Sequence, residues 1–367
     1  MTKTSSGQET AFLRIIRRIL KANRPHSPLA IARGAYWFLC TRFFGQPCLK
    51  YLDVALDYRC NMKCEHCFAI YSLRTQNGHR LTVEQYRTIA KDAFAVGCLH
   101  VNLQGGEPLL MADLEDYVCA FQPDRCHLSI TTNGYLFTTE WAKRLKKSGV
   151  RQIVFSLDSL DEKEHDRFRG LLGAYTRVME GIRIAREMRF AVTVNVTVSH
   201  ASLKEKNQRD LFAWLHQERI PYNPILACAV GGWSGQPSLM VTPEDVAFVN
   251  SLCTEGCAQR DVHASWVHQG CSATAEQAYI TPYGDVIPCP FIQISLGNLH
   301  KERLGVIWRR AIQQGLFGRY HPRCWVAEEE GFVKELKNLY SHYSHLPVPS
   351  DSSEGREFLV RFWGKKN

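Results

Sequence analysis

The stretch CNMKCEHC, residues 60–67, constrains this chain most strongly, because it places Cys60, Cys64 and Cys67 within eight residues. Three thiolates can bind three irons of a four-iron, four-sulfur cube and leave the fourth iron open to another ligand. A structural zinc ion takes four protein ligands, and the remaining candidate, His66, lies between two cysteines, where binding would strain the loop. The spacing therefore favours an iron–sulfur cluster with one open iron, and zinc is the alternative.

The number of cysteines is high for a chain of this size: fourteen in 367 residues. The N-terminus lacks the apolar stretch and small-residue cleavage site of a secretory signal, and no run of apolar residues is long enough to span a membrane. We therefore expect a reducing, cytoplasmic compartment. Clustered thiols in such a compartment indicate metal binding or catalysis more often than disulfides.

Strand-like and helix-like segments alternate from residue 50 to about residue 230. The first strand-like segment, YLDVALD at 51–57, alternates apolar and polar residues and ends shortly before Cys60. A helical pattern follows between Thr82, a plausible N-cap, and Gly97, a helix stop. This repetition of strand, helix and strand predicts an α/β fold with a parallel sheet and right-handed crossovers.

Chemically distinctive residues stand where the predicted strands end. LQGGEP occupies residues 103–108, LSITTNG occupies 128–134, and QIVFSLDS occupies 152–159. EHDRFRG, at 164–170, follows the last of these strands. Parallel α/β barrels place their sites at the carboxyl ends of the strands. The sequence therefore predicts that these four segments and the cysteine stretch build one site.

Together, CxxxCxxC after a first strand and these later segments resemble the radical S-adenosylmethionine (SAM) superfamily over roughly half of the chain. The resemblance implies a partial (β/α)6 barrel, assigned to residues 50–235. It also implies a [4Fe–4S] cluster on the three thiols of CNMKCEHC, with SAM at the open iron. In this family the Gly-Gly-Glu-Pro turn pairs with the SAM amino group, and Arg169 is placed to face the SAM carboxylate. The SAM-binding residues implied are Gly105, Gly106, Glu107, Asn133, Ser156, Asp158 and Arg169.

A second group of thiols lies in the C-terminal third. Cys271 and Cys289 flank a predicted hairpin whose turn is TPYGD, and Cys324 follows a predicted helix. The arrangement resembles the SPASM domain, or its shorter Twitch form, which extends some radical SAM enzymes. We assign residues 236–330 to this small α+β auxiliary-cluster domain and residues 331–367 to a C-terminal helix and tail.

The resemblance implies a second [4Fe–4S] cluster bound by Cys271, Cys289 and Cys324. A full SPASM domain has several further cysteines and two clusters, so one auxiliary cluster is expected here. Its fourth ligand is Cys257 or Cys253, a non-cysteine group, or nothing, which would leave an open iron. The alternative is a domain that has lost its cluster and serves as a lid.

Cys228, in PILACAVGG, is predicted to follow the last barrel strand. A thiol there could point into the barrel and donate a hydrogen atom to a substrate radical, as in some epimerases of this superfamily. Cys228 is therefore the candidate catalytic residue. The alternative is a buried core cysteine, which is also the expectation for Cys98, Cys119 and Cys126.

Most of the net charge of +9 lies at the N-terminus, since residues 1–50 hold nine Lys and Arg against one acid, Glu9. The segment FLRIIRRILK, at 12–21, places apolar residues on one helical face and basic residues on the other. We assign residues 1–49 to a basic amphipathic helical arm. Peripheral contact of residues 12–45 with an anionic membrane competes with a helix docked on the barrel, and no nucleic-acid partner is expected.

The resemblance implies an enzyme that cleaves SAM reductively to a 5′-deoxyadenosyl radical, which abstracts hydrogen from its substrate. Peptide-modifying relatives often carry an N-terminal recognition element, and residues 1–49 are too short for it. A small carbohydrate, aminocyclitol or lipid-type precursor is therefore favoured, with the auxiliary cluster aiding oxidation or substrate binding. The alternatives are a peptide-modifying maturase and a non-catalytic electron carrier. A flavodoxin- or ferredoxin-type protein is expected to donate the electron, in the cytoplasm or at a membrane.

Overall fold

A computed structural model describes residues 27–69, 78–254, 256–260, 262, 270–314 and 320–363. The strands, β1 to β11, are Tyr51–Asp57, His100–Gly105, His127–Thr132, Gln152–Ser156, Ala191–Val198, Tyr222–Leu226, Gln277–Ile280, Asp285–Ile287, Ile294–Ser295, Gly297–Asn298 and Val348–Pro349. The helices, α1 to α12, are Pro28–Phe44, Val83–Ala95, Leu114–Ala120, Thr139–Ser148, Glu162–Arg169, Ala174–Glu187, Lys206–Gln217, Pro243–Thr254, Leu304–Gln313, Trp325–Glu328, Glu330–Ser341 and Ser353–Trp363.

Nine strands form the main sheet, in the order β10-β8-β7-β1-β2-β3-β4-β5-β6. Strands β1 to β6 are parallel to their neighbours, and Tyr51 at the start of β1 pairs with His100 at the start of β2. Helices follow each of the first five strands, as the alternating pattern predicts. Side chains from all six of these strands line one cavity. The predicted α/β class and partial barrel are therefore confirmed.

Local sequence signals determine where the barrel helices begin and end. Thr82 and Gln85 form a reciprocal capping box at the start of α2, which satisfies two backbone N–H groups that the helix leaves unpaired. Gly97, with φ of +101°, reverses the chain after α2. Thr138 caps α4 at its start, and Gly149 ends that helix in a left-handed conformation.

The main core lies between the sheet and these helices. The outward positions of successive strands are apolar and fully enclosed, as Leu52, Val101, Leu128 and Ile153 show. Burying one such side chain contributes roughly 1.5–3 kcal/mol relative to leaving it exposed. The inward positions carry a different set of side chains, which form the wall of the cavity.

The C-terminal hairpin extends the barrel sheet, a pairing that the sequence did not predict. Strand β7 pairs in parallel with β1, so that Gln277 lies opposite Tyr51. Strand β8 returns antiparallel to β7 after a turn at Gly284, whose φ is +90°. The segment that carries Cys271 and Cys289 is thereby fixed to the first barrel strand.

The two ends of the chain differ in part from the sequence-based assignment. Residues 12–21 of the expected N-terminal arm lie outside the described residues. Helix α1, Pro28–Phe44, belongs to the later part of that arm. In place of one C-terminal helix and a tail, α11 and α12 pack against each other, and β11 between them pairs with β9. Cys119 was expected in the core but is exposed, because it lies on the outer side of α3. None of the described helices is both long and apolar enough to cross a bilayer.

Candidate active site

The loop that carries Cys60, Cys64 and Cys67 is positioned by contacts with later segments. The backbone N–H of Gly106 donates to the Asp57 carbonyl at 2.8 Å, and that of Glu107 donates to the Arg59 carbonyl at 2.9 Å. A Cβ atom added to Gly106 would stand 2.1 Å from the Arg59 carbonyl oxygen. The glycine therefore permits a close approach between this turn and the chain that enters the thiol loop.

Two further glycine segments hold the same loop. The backbone N–H of Lys63 donates to the Arg169 carbonyl at 3.2 Å, and a Cβ on Gly170 would come within 2.6 Å of the Lys63 carbonyl oxygen. From the segment after β6, Gly232 donates its backbone N–H to the Cys67 carbonyl at 3.0 Å. Three separate parts of the barrel thus determine where the loop lies.

The three thiols line one cavity of about 1270 Å³. Asn133, at the end of β3, places its side-chain nitrogen 3.8 Å from the Cys60 sulfur. Arg169, at the end of α5, places a guanidinium nitrogen 3.8 Å from the Cys64 sulfur. The structure therefore brings two predicted SAM-binding residues close to Cys60 and Cys64. Cys67 lines the same cavity.

Burial affects the protonation of the groups in this loop. Desolvation, with smaller contributions from the nearby Glu107, Cys64 and Cys67, raises the pKa of Cys60 to about 11. Burial lowers the pKa of His66 to about 3, so its imidazole is neutral at physiological pH. The His66 ring stacks on an aromatic ring from α5 and lines the cavity. The loop thus offers three thiols and one uncharged ring.

Glu107 lies behind the cavity wall, whereas Gly105 and Gly106 line it. The Glu107 carboxylate is 2% exposed and accepts hydrogen bonds from the Thr132 hydroxyl and the Asn133 backbone N–H, both at 2.8 Å. Burial raises its pKa to about 7. The carboxylate therefore fixes the end of β3 against the glycine turn.

Asp158 and Arg169 form a buried ion pair beside the thiol loop. The Arg169 Nε donates to the Asp158 carboxylate at 2.7 Å, and the backbone N–H of Thr197 donates to its other oxygen at 2.8 Å. Burial acts to raise the pKa of Asp158, but Arg169, with smaller contributions from His66 and His165, holds it below its ordinary value. Arg169 lines the cavity, and Asp158 orients it from behind.

Below the thiol loop, many of the inward positions of the barrel strands carry amide or hydroxyl side chains that line the cavity. Asp53 accepts hydrogen bonds from Asn102 at 2.8 Å and from Gln104 and Gln277 at 2.7 Å. Similar bonds link neighbouring strands across β4, β5 and β6. Amide and hydroxyl side chains at inward strand positions of the wall include Asn102, Gln104, Thr131, Gln152, Ser156, Thr193, Asn195, Thr197, Asn223 and Gln277.

The sequence contained a signal for this wall that we did not use. A parallel strand buried on both faces usually reads as a continuous apolar run. Strand β5 instead reads AVTVNVTV, and its inward positions are Thr193, Asn195 and Thr197. Alternation of apolar and polar residues along a strand of a helix-covered sheet indicates a polar interior. Of the ten amide and hydroxyl residues named above, only Ser156 was identified from its motif.

The C-terminal thiols Cys271, Cys289 and Cys324 line the same cavity. They lie toward its other end, because Cys271 precedes β7, which starts beside the first residues of β1. Burial raises the pKa of Cys289 well above its ordinary value, and the neighbouring Cys271 and Cys324 raise it further. The structure thus brings together the three thiols that the sequence grouped.

The surroundings of Cys324 include a second buried ion pair. The Glu328 carboxylate accepts a hydrogen bond from the Cys324 backbone N–H at 2.8 Å and pairs with Arg260. Of the two candidates for a fourth ligand, Cys257 is among the described residues that line the cavity, and Cys253 is not. The geometry favours Cys257 over Cys253.

Cys228 follows β6 at the position that the sequence predicts. It is 7% exposed, donates from its sulfur to the Leu226 carbonyl at 3.3 Å, and lines the cavity. The next residues lead into the Gly231–Trp233 turn, which contacts the thiol loop. Cys228 therefore lies in the same enclosure as both groups of thiols.

Both groups of thiols fit iron–sulfur clusters by the chemistry of their donors. Desolvation raises the pKa of Cys60 in the first group and of Cys289 and Cys324 in the second. Holding these groups as thiolates therefore requires positive charge of the kind that iron supplies. Among the described residues, no three His, Cys, Asp or Glu side chains converge as the ligands of a single ion do. Ligands of an iron–sulfur cube bind separate irons and share no such point.

Comparison with known proteins gives two family matches. The radical SAM superfamily matches residues 56–211, and SPASM, an iron–sulfur cluster-binding domain, matches residues 271–325. The AdoMet-dependent heme synthase of Methanosarcina barkeri is 23% identical over 282 residues, which are 69% of this chain and 80% of that protein. The GTP 3′,8-cyclase of Rippkaea orientalis is 35% identical over 194 residues, 48% of this chain and 57% of that one.

Among solved structures, Streptococcus suis SuiB bound to precursor peptide SuiA superposes with a TM-score of 0.58. It is 19% identical, and the match covers 80% of this chain and 67% of SuiB. At that identity the likeness shows the fold. The two family matches, and not the fold likeness, carry the assignment. The chain belongs to the radical SAM superfamily of enzymes, which use a [4Fe–4S] cluster and SAM, and it carries a SPASM domain, which binds further iron–sulfur clusters.

Proposed function

We propose that this enzyme abstracts a hydrogen atom from a small polar substrate held inside the barrel, between the two groups of thiols. The substrate is a carbohydrate, an aminocyclitol or the polar part of a lipid-type precursor. The observation that carries the proposal is that Cys60, Cys64 and Cys67 share one cavity with Cys271, Cys289 and Cys324, and that amide and hydroxyl side chains from the barrel strands also line this cavity.

In this proposal the thiols of CNMKCEHC hold the cluster and the adjoining wall binds SAM. When bound, the cluster and SAM supply a 5′-deoxyadenosyl radical that removes hydrogen from an unactivated carbon. Asn133, Ser156, Arg169 and the main chain of Gly105 and Gly106 line the SAM region. Glu107 and Asp158 act from behind: the first fixes the end of β3, and the second orients the Arg169 guanidinium.

The size and chemistry of the cavity support a small polar substrate. Its volume of about 1270 Å³ exceeds the roughly 300–1,000 Å³ of an ordinary ligand pocket, so it has room for SAM and a second molecule. Amide side chains both donate and accept hydrogen bonds, as substrate hydroxyl and amino groups do. A polyhydroxylated molecule could therefore exchange its bonds to water for bonds to this wall.

The C-terminal thiols hold a single auxiliary [4Fe–4S] cluster in this proposal, with Cys257 as the candidate fourth ligand. From its end of the cavity it would accept a second electron from the substrate or anchor the substrate. If the reaction is instead redox-neutral, Cys228 would donate a hydrogen atom to the substrate radical, and the thiyl radical left on Cys228 would take up one electron from the electron-donor protein and a proton from solvent. A flavodoxin- or ferredoxin-type protein would supply the first electron in the cytoplasm, and residues 12–45 would provide any peripheral membrane contact.

A measurement of 5′-deoxyadenosine tests the substrate class. The anaerobically reconstituted enzyme is given SAM, dithionite and a cell extract that has been divided by size. The proposal predicts that the low-mass fraction stimulates 5′-deoxyadenosine formation and that protease treatment of this fraction changes nothing. Stimulation that protease destroys would instead identify a peptide-modifying enzyme. An enzyme that forms no 5′-deoxyadenosine under any condition would contradict both.

A further inference from the structure

Helix α1 packs on the barrel through one face only. Arg33 donates two hydrogen bonds from its guanidinium, to the Phe94 carbonyl at 3.2 Å and to the Cys98 carbonyl at 3.1 Å. Cys40 is buried, and the Trp37 ring packs so closely against Gly97 that a Cβ there would lie 3.0 Å from it. The side of α1 that carries Arg33 is thus the side that is covered.

The outward face of α1 is apolar, which reverses the usual pattern of a surface helix. Ile31, Tyr36, Leu39 and Phe43 recur at intervals of three to five residues and are 49%, 60%, 49% and 67% exposed. Leu29 and Phe44 add to the apolar surface near the two ends of the helix. Six of the eleven exposed large apolar side chains among the described residues belong to this one helix.

The charge around this face has a single sign. Arg42 is the only charged residue on the exposed side of α1. No acidic residue occurs between Glu9 and Asp53, whereas that interval contains eight lysines and arginines. An apolar surface that carries Arg42 and no acidic residue matches the boundary of an anionic bilayer, where aromatic side chains and basic residues are both favoured.

We propose that the outward face of α1 is a binding surface for an anionic lipid bilayer. Tyr36, Leu39 and Phe43 enter the boundary between headgroups and acyl chains, and Arg42 contacts the lipid phosphates. The helix lies in the plane of the membrane, as interfacial amphipathic helices do. This inference rests on the surface of α1 and is independent of the substrate proposed above.

A second copy of the chain suits this face less well. Symmetric pairing through α1 would set two faces that each carry Arg42 and no acidic residue against each other, and like charges would repel. The position of the helix also suits a membrane, because the chain runs from α1 directly to Lys50 and Tyr51, which line the cavity. A membrane on α1 would therefore lie close to the end of the cavity at which the strands begin.

The test is co-sedimentation of the full-length, iron-loaded protein with vesicles of phosphatidylcholine alone or mixed with phosphatidylglycerol. The wild-type protein should bind the anionic vesicles and be released by salt. The Tyr36→Ser/Leu39→Ser/Phe43→Ser variant should bind at least roughly tenfold more weakly, since three apolar side chains no longer move from water into the bilayer. Arg42→Glu should weaken binding to anionic vesicles further.

A matched control removes exposed apolar side chains elsewhere: Leu172→Ser/Val306→Ser/Val360→Ser should bind like the wild type. Circular dichroism and iron content verify that each variant is folded. Wild-type binding by the α1 variant would overturn the proposal and assign any lipid affinity to the basic segment before α1. A concentration-dependent dimer in analytical ultracentrifugation that the α1 variant abolishes, without lipid binding by the wild type, would overturn it in favour of self-association.

Discussion

Gly106 and Arg59 approach so closely that a Cβ on the glycine would stand 2.1 Å from the arginine's carbonyl oxygen. From the sequence, the resemblance implies that the Gly-Gly-Glu-Pro turn pairs with the SAM amino group. The structure shows that it also admits the chain's own residues before Cys60. The glycines that line the cavity therefore also position the thiol loop.

Gly106→Ala should displace this loop. Overpacking of this kind costs roughly 1–3 kcal/mol, and the displacement should lower iron binding at the N-terminal thiols. Urea unfolding and iron content of the anaerobically reconstituted protein measure the two effects. Gly331→Ala is the control, because Gly331 lies in α11 with nothing within 4 Å of an added Cβ. Equal iron content in the two variants would contradict the positioning role of Gly106.

Glu107 predicts a specific pH dependence of stability. Its pKa rises from an ordinary value of 4.5 to about 7 in the folded chain, so the folded state binds the proton more tightly. The stabilisation that comes from this tighter proton binding is therefore complete below pH 4.5 and is lost as the pH rises through about 7.

The comparison is with Glu107→Gln, which stays neutral throughout. The free energy of unfolding of the wild type, relative to the variant, should fall by up to ~3 kcal/mol between about pH 4.5 and pH 7. Urea unfolding of the cluster-free proteins at several pH values measures this difference. A difference that is constant with pH, or one that grows, would show that the carboxylate is not protonated preferentially in the folded state.

Much of the barrel could be predicted because its signals are local. Thr82 marks the start of α2 and Gly97 follows its end, and both signals involve only neighbouring residues. The hairpin turn at Gly284 is equally local. The pairing of β7 with β1 joins residues more than 200 positions apart, and no local pattern encodes it. The burial of Glu107 and Asp158 behind the wall also depended on packing, which a motif does not specify.

Cys228 is predicted to act as a hydrogen donor. In deuterated water its thiol carries deuterium, so a donor would place one deuterium on the product. Mass spectrometry of the stimulating low-mass fraction should show this label with the wild-type enzyme and lose it with Cys228→Ser, while 5′-deoxyadenosine formation persists. Cys126→Ser is the control, since Cys126 is a buried thiol outside the cavity wall. Retention of the label in the Cys228 variant would reduce Cys228 to a core residue.

The auxiliary thiols predict a separable iron site. Replacing Cys271, Cys289 and Cys324 with alanine should remove about half of the iron, because one of two four-iron clusters is lost. SAM cleavage should survive in part, since the other thiols lie at the opposite end of the cavity. Iron analysis and 5′-deoxyadenosine formation report the two properties separately. Unchanged iron content would mean that the C-terminal domain is an empty lid.

The most direct test of the account is the Cys60→Ala/Cys64→Ala/Cys67→Ala variant, assayed for iron and for 5′-deoxyadenosine after anaerobic reconstitution with SAM and dithionite. The wild type should hold close to eight irons, as two four-iron clusters require. The variant should keep about half of them, on the C-terminal thiols, and form no 5′-deoxyadenosine. A variant that still cleaves SAM would contradict the assignment of these three thiols.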